Sequence, residues 1–240
     1  MSAVVAIDIG GTKLAAGLVA ADGTLTARCT TPTPRTDDAE ELFAALTALL
    51  DPIDTTAAVA VGVGCGGPMA RGGEHVSPLN IPSWRAFPLR SRIAAHLDRP
   101  VFVDNDAKAL ALGEGWLGAA ADADNFIGMV VSTGIGGGIV LDGRLLDGRE
   151  GNAGHVGHVI VEPDGHQCGC GARGCVEAEA SGTAIRRITG GAPKDAPADV
   201  RIRCGTLVGR AIASVANLCD LPLAVVSGSV ALGYGEPFFT

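Results

Sequence analysis

Aromatic residues make up only 4% of this 240-residue chain. Long apolar runs are missing as well: glycine or charge interrupts every candidate before the ~20 residues that a membrane-spanning helix needs. Clusters of lysine or arginine are also absent, and 18 basic residues stand against 26 acidic ones, a formal net charge of −8. That balance argues against electrostatic capture of nucleic acid or of an anionic membrane, and an anionic small molecule would need local help from the backbone. The opening MSAVVAIDIGG has neither a basic region nor a secretory apolar segment, so a cytoplasmic protein with reduced cysteines is expected. Disorder is excluded by composition, because 47% of residues are hydrophobic and 18% charged, enough to bury a sizeable core.

What the chain has in excess is glycine, 35 residues, and one crowded set of cysteines. Cys168, Cys170 and Cys175 fall within GHQCGCGARGCVE, and His158 precedes them. Three thiolates and one imidazole match the closed shell of a tetrahedral structural Zn²⁺ site, and the glycines between them allow the tight turns that such close spacing demands. His158 is the first choice for the imidazole by reach, and His166 the alternative. A disulfide among neighbouring cysteines, or unrelated thiols in a glycine-rich loop, is the competing reading, weakened by the scatter of Cys29, Cys65, Cys204 and Cys219.

The order of elements reads as alternating α/β. Two strands meet at a Gly-Gly-Thr turn in VVAIDIGGTKLAAGLVA, and a second turn at Ala21, Asp22 and Gly23 completes a β-meander. Asp37 to Leu50 predicts an amphipathic helix with an acidic start, AAVAVGVGCGG a buried strand, Leu89–Leu97 a helix, Val101–Val103 a short strand and Ala107–Trp116 a helix. FIGMVVSTGIGGGIVLDGRLL then echoes the opening hairpin, down to the following Asp-Gly. Two glycine loops in matching context suggest two related lobes, here 1–115 and 116–240, whose backbone N–H groups could hold phosphate. TLVGRAIASVANLCD predicts a helix and LPLAVVSGSVA a buried strand. GYGEPFFT follows with no covering helix expected, which suggests that the C-terminal part of the second lobe is truncated or supplied by another chain; the bland alternative is that Phe238 and Phe239 begin a short terminal turn.

DIGGTK (8–13), VDNDA (103–107), STGIGGG (132–138), AGHVGH ending at His158, CGCGARGCVE and SGSV (227–230) occur in one order across nearly the whole chain. Together they resemble the ROK family of repressors and sugar kinases. The resemblance implies a two-lobed actin/hexokinase-like (ribonuclease H-like) fold with a cleft, transfer of a phosphoryl group from ATP to a sugar hydroxyl, and a homodimer or higher homo-oligomer. By that resemblance Asp106 is the general base, with Asn105 hydrogen-bonding the sugar; the plainer role of an Asn-Asp pair after a strand is a helix N-cap. Gly10, Gly11, Thr12 and Lys13, with Thr133, Gly134 and Gly136, line the phosphates, and Gly228 and Ser229 approach the nucleoside. Asp8 holds Mg²⁺ through water, unless it is only a solvated strand-end carboxylate. For Lys13 the ordinary alternative is a surface charge.

Asn80, His158 and Glu177 match positions that bind sugar hydroxyls, and Glu177 could equally be a helix-start carboxylate beside the zinc loop. His158 would serve twice, one ring nitrogen on the metal and the other toward the sugar. Trp84 packs under the sugar loop or is simply structural. His155 departs from the pattern: many members carry glutamate there, and imidazole in place of an acceptor-only carboxylate changes which hydroxyl or N-acetyl pattern fits. Bacterial N-acetylmannosamine kinases show a similar AGH…GH stretch, as could glucokinase-like sequences. A sugar-sensing repressor is disfavoured because DIGGTK starts at residue 8, leaving no room ahead of it for a helix-turn-helix. A catalytically impaired sugar-binding homologue is the remaining alternative.

Overall fold

The computed structural model describes residues 2–240, which form two compact units: residues up to Asp106 together with Gly148–Asn152, and Ala107–Asp147 together with Ala153–Thr240. The first unit carries strands β1 (Ala3–Ile9), β2 (Lys13–Ala20), β3 (Leu25–Pro32), β4 (Ala58–Cys65) and β5 (Val101–Asn105) in the order β3-β2-β1-β4-β5. β1, β2 and β3 run antiparallel in turn, whereas β4 and β5 lie parallel to β1. Alternation of apolar residues sets the buried face: Val5, Ile7 and Ile9 on β1 join Val61, Val63 and Cys65 on β4. Helices α1 (Ala39–Leu50) and α2 (Leu89–Leu97) contribute Leu42, Leu46, Leu50, Leu89 and Ile93 to the same core. Asp38 starts α1 by accepting the Glu40 N–H at 2.8 Å, with Glu40 and Glu41 placed where the helix dipole favours negative charge. Trp84 is structural: its ring stacks on Phe87 with centroids 4.4 Å apart, and its indole N–H donates to the Ala39 carbonyl.

In the second unit β6 (Phe126–Val131), β7 (Ile135–Leu141), β8 (Arg144–Leu145) and β9 (Leu223–Ser227) are ordered β8-β7-β6-β9, with β6–β7 and β7–β8 antiparallel and β6–β9 parallel. This repeats the β3-β2-β1-β4 plan of the first unit, so the two glycine loops join equivalent hairpins. Helix α3 (Asp106–Leu117) lies against this sheet at unusually short range. A Cβ at Gly138 would come within 2.8 Å of Ala111 Cβ and 3.0 Å of Lys108 Cα, one at Gly128 within 2.8 Å of Ala111, and one at Gly136 within 2.8 Å of Ala107 Cβ. Glycine on the strands and alanine on the helix let the backbones approach, which is why α3 belongs with the second sheet and the division falls after Asp106 rather than after residue 115.

The remaining helices are α4 (Val176–Ala180), α5 (Gly182–Thr189), the long α6 (Ala198–Cys219), α7 (Ser229–Tyr234) and α8 (Glu236–Phe239). The expectation of no covering helix after β9 is corrected here. Val230, Ala231, Tyr234 and Phe238 enter the core, and Gly205 on α6 leaves room for Phe238, whose carbonyl oxygen a Cβ there would approach to 2.1 Å. Among the described residues no helix is long and apolar enough to cross a membrane.

The close approach of α3 gives a paired test. Gly138→Ala forces a methyl into the Ala111 contact and is expected to lower unfolding free energy by about 1–3 kcal/mol. Gly113→Ala, within α3 itself and with nothing within 4 Å of the added carbon, should raise it by about 0.5–1 kcal/mol. Urea unfolding of the two variants measures both; equal effects would remove the packing explanation.

Candidate functional site

In the first unit, β1, β4 and β5 are parallel and end together: Ile9 pairs with Cys65, and Cys65 with Asn105. The carboxyl ends of parallel strands are where α/β sheets gather ligands. Asp8 stands at this edge, and Asp106 follows Asn105 directly as the first residue of α3. Desolvation among the strand ends raises the Asp8 pKa above the ordinary carboxylate value, the Asp106 charge adds to the rise, and Lys13 opposes it. Beneath them Cys65 is fully buried, and burial together with the charges of Asp106 and Asp8 pushes its thiol up to about 12. Cys65 is therefore neutral packing, while the two aspartates are like charges within mutual reach.

Asn80 is set in a gap made by two glycines. A Cβ at Gly11 would lie 3.0 Å from Asn80 Cβ, Nδ2 and O, and one at Gly66 would lie 3.0 Å from its Oδ1. The first glycine loop is closed by Gly10 N–H donating to the Lys13 carbonyl (3.0 Å) and held to β3 and its exit by Thr33, whose hydroxyl donates to the Gly10 carbonyl at 2.6 Å and whose N–H donates to the Thr12 carbonyl. The structure thus brings Asp8, Gly10, Gly11, Thr12, Lys13, Asn80, Asn105 and Asp106 to one end of the sheet.

In the second unit, the turn at Thr133 and Gly134 is tied down from three sides. Glu177 Oε2 accepts the Ile135 N–H at 3.0 Å, and a side chain at Gly134 would collide with that same oxygen at 2.9 Å. Thr183, through both its N–H and its hydroxyl, donates to the Thr133 carbonyl, and Gly182 N–H donates to Ser132 O at 2.7 Å. Ser132 and Ser229 share a hydroxyl hydrogen bond of 3.0 Å. Gly228, at φ +102°, passes so near β6 that a Cβ would lie 2.4 Å from the Val131 carbonyl oxygen. Thr133, Gly134, Gly228 and Ser229 are therefore neighbours. Gly136 is not part of the turn; it lies inside β7 and serves the helix contact.

His155 and His158 flank a short 3-10 turn, with ring centroids 6.1 Å apart. Burial lowers the His155 pKa, the positive ends of His158 and Lys108 lower it further, and Glu177 opposes them. At neutral pH His155 is a neutral imidazole, one donor and one acceptor. The donor atoms of His158, Cys168, Cys170 and Cys175 all lie within 4.8 Å of one another, with His158 Nδ1 to Cys168 Sγ 3.7 Å and Cys170 Sγ to Cys175 Sγ 3.6 Å. Those separations suit four donors around one small dication. Burial raises Cys168, and burial with the neighbouring thiols pushes Cys175 up to about 12, whereas the Ala172 backbone N–H lowers Cys170; a dication at this point would favour the thiolate form of all three. Gly174, at φ +73°, makes the fold of this loop possible, since a Cβ there would lie 1.6 Å from the Glu162 carbonyl oxygen. His166 is outside the cluster. Its ring Nδ1 is 2.9 Å from Glu179 Oε1, so the alternative imidazole is engaged elsewhere.

Sequence reasoning overlooked Glu179. Its side chain is wholly buried and receives the His166 backbone N–H, the His166 ring and Arg203 Nη2 at 2.7 Å. It ties the metal-type loop and α4 to α6. The repeated acid in VEAEA was the available signal: an acid on a helix whose neighbours are alanine and valine must find partners if it points inward.

Two sheets on one strand plan, paired glycine turns and a three-thiol, one-imidazole knot define an α/β protein of two related units. The model of the ROK family matches residues 4–234, and the chain belongs to that family. It is 41% identical over 187 residues to the glucokinase of Thermotoga maritima, covering 77% of this chain and 59% of that protein. It is 38% identical over 247 residues to the N-acetylmannosamine kinase of Escherichia fergusonii, covering 96% and 84%. The crystal structure of a ROK family glucokinase from Streptomyces griseus in complex with glucose and AMPPNP aligns with a TM-score of 0.85 at 31% identity, covering 99% of this chain and 87% of that one.

Glu179 supplies a pH test. Burial alone would raise its pKa, but bonds from the His166 N–H, Arg203 and the His166 ring outweigh it and hold the carboxyl below its ordinary 4.5. Its contribution to stability is thus fully present above pH 4.5 and is lost as pH falls through the depressed folded-state value. Glu179→Gln should cost about 1–3 kcal/mol at pH 7 and flatten the acid limb of a stability profile. An unchanged acid limb would contradict this assignment.

Proposed function

We propose that this protein is an ATP-dependent kinase of a hexose or N-acylhexosamine, with the two-lobed actin/hexokinase-like arrangement of its family. The observation that carries the reading is the strand-end set Asp8, Asn80, Asn105 and Asp106, built on an edge that also carries a glycine phosphate loop. Asp106 is the general base. The sugar hydroxyl oxygen forms a bond to the γ-phosphorus, the bond to the β–γ bridging oxygen breaks, ADP departs, and the hydroxyl proton passes to the Asp106 carboxylate. Asn80 and Asn105 are read as sugar-binding residues of the first unit, and His155, His158 and Glu177 as sugar-binding residues of the second.

The glycine turn at Gly10, Gly11, Thr12 and Lys13 in the first unit and that at Thr133 and Gly134 in the second are each read as phosphate-binding backbone, and Gly228 and Ser229, beside the second turn, as nucleoside-binding. Mg²⁺, carried with the nucleotide, fits the electrostatics of Asp8, whose carboxylate is destabilised first by burial and then by the Asp106 charge and would be relieved by a dication held through water. Zn²⁺ fits His158, Cys168, Cys170 and Cys175 and supplies structural cross-linking. Its effect follows from sequence neighbours. Cys175 immediately precedes α4, which bears Glu177, and His158 closes the turn that bears His155, so one ion fixes both sugar-binding segments.

A neutral His155 can donate to one ligand group and accept from another, which a carboxylate cannot do. This supports acceptors that differ at the carbon bearing a hydroxyl or an acetamido group.

Turnover on glucose, N-acetylglucosamine and N-acetylmannosamine, with ATP and polyphosphate as donors, tests the reading. ATP-dependent product with at least one of these sugars is expected; a folded, metal-loaded protein that phosphorylates none would favour the sugar-binding homologue without catalysis. Removal of the ion adds a second test. Cys170→Ser, at an exposed ligand, should lose zinc by elemental analysis and raise the sugar KM by about 10-fold or more. Full zinc content in that variant would exclude Cys170 as a ligand.

A further inference from the structure

Lys108 stands two residues after Asp106 on α3 and is only 1% exposed, one of the largest fully buried side chains in the molecule. Its sequence context, DAKALAL, is otherwise small and apolar. An ammonium group taken out of water is costly unless a partner meets it. Here Nζ donates to Asp147 Oδ1 at 2.7 Å, and the Asp147 side chain is itself 65% exposed. The lysine is thus the fixed end of the ion pair and the aspartate the end that is held.

Asp147 is placed where holding matters. It follows Leu146, whose N–H donates to the Ile139 carbonyl, and it precedes the excursion Gly148–Asn152, which belongs to the first unit. The Asp147 carbonyl accepts the Ala153 N–H at 3.0 Å, closing the base of that excursion. Gly154 comes next, at φ +88°, where a Cβ would lie 3.1 Å from the Gly137 carbonyl oxygen, and then His155. From Lys108 to His155 the path is one ion pair, one backbone hydrogen bond and two residues of chain.

We infer that Lys108 is a positioning residue for sugar binding: its buried ammonium fixes Asp147, and through the Asp147–Ala153 bond it fixes the loop base that presents His155. The same lysine is anchored in the helix that the base Asp106 opens. This inference rests on the kinase reading above for its functional consequence, and on the ion pair alone for its structural one.

Lys108→Met keeps the length and removes the charge, Lys108→Arg keeps the charge, and Asp147→Ala removes the partner at an exposed position. Hydrogen exchange of the amides from 147 to 156 should speed by about 10-fold in Lys108→Met and Asp147→Ala, with the amides of the cysteine loop unchanged. The sugar KM should rise by about 10-fold with kcat and the ATP KM within about 3-fold, and Lys108→Arg should recover most of the loss. Unchanged exchange and unchanged sugar KM overturn the inference, as does a uniform loss of kcat and of both KM values together with thermal stability. If Lys108→Met does not fold, Asp147→Ala decides by the same two readouts. If the wild type phosphorylates no sugar, the kinase reading fails by itself, while exchange in 147–156 still decides whether Lys108 anchors the loop.

Discussion

Two carboxylates, Asp8 on β1 and Asp106 directly after β5, are held at the same end of the first unit's sheet, on the two strands that flank β4. Each is carried on a strand or helix start whose register is fixed by the parallel pairing of β1, β4 and β5. The layer below them, Ile9 and Cys65, is fully buried, so the strand ends have no freedom to relax. Burial first, and the Asp106 charge after it, raise the Asp8 pKa; burial, with the two carboxylates added, keeps the Cys65 thiol neutral. Strain of this electrostatic kind is what a site for a metal-bearing nucleotide would be expected to carry, because a dication turns the repulsion into attraction.

The second unit solves a different problem, the fixing of irregular chain. Between Leu146 and Cys175 there is almost no regular secondary structure, yet this stretch carries His155, His158 and the thiols. Short-range constraints replace a hydrogen-bonded ladder: the four-donor knot, the glycines that admit carbonyl oxygens where a side chain would stand, and the buried carboxylate of Glu179. Glu177 connects this stretch to the second glycine turn by accepting the Ile135 N–H. The start of α4 and the second glycine turn thereby share a hydrogen bond within one unit.

Much of this was legible from periodicity and turns. The helix at Leu89–Leu97 has the expected bounds, and Asp38 caps α1 one residue inside its expected start. The hairpin echo became a shared strand order, because glycine turns and alternating apolar residues are local signals. The assignment of α3 to a unit was not legible, since it depends on which sheet presents glycine to Ala107 and Ala111, a contact between segments distant in sequence. Lys108 and Glu179 were missed for a related reason. A buried charge looks like a surface charge until its partner, 39 residues away for Lys108 and 24 for the Arg203 bond to Glu179, is placed beside it. The preference for His158 over His166, by contrast, was legible from reach along the chain, and the contact of His166 with Glu179 agrees with it.

The account stands on Asp106 as the proton acceptor, and the most direct measurement separates binding from transfer. Asp106→Asn should bind its sugar with a Kd within about 3-fold of the wild type by calorimetry, while kcat falls by about 10²–10⁴-fold. A variant that binds sugar and retains full turnover would contradict the account at its centre.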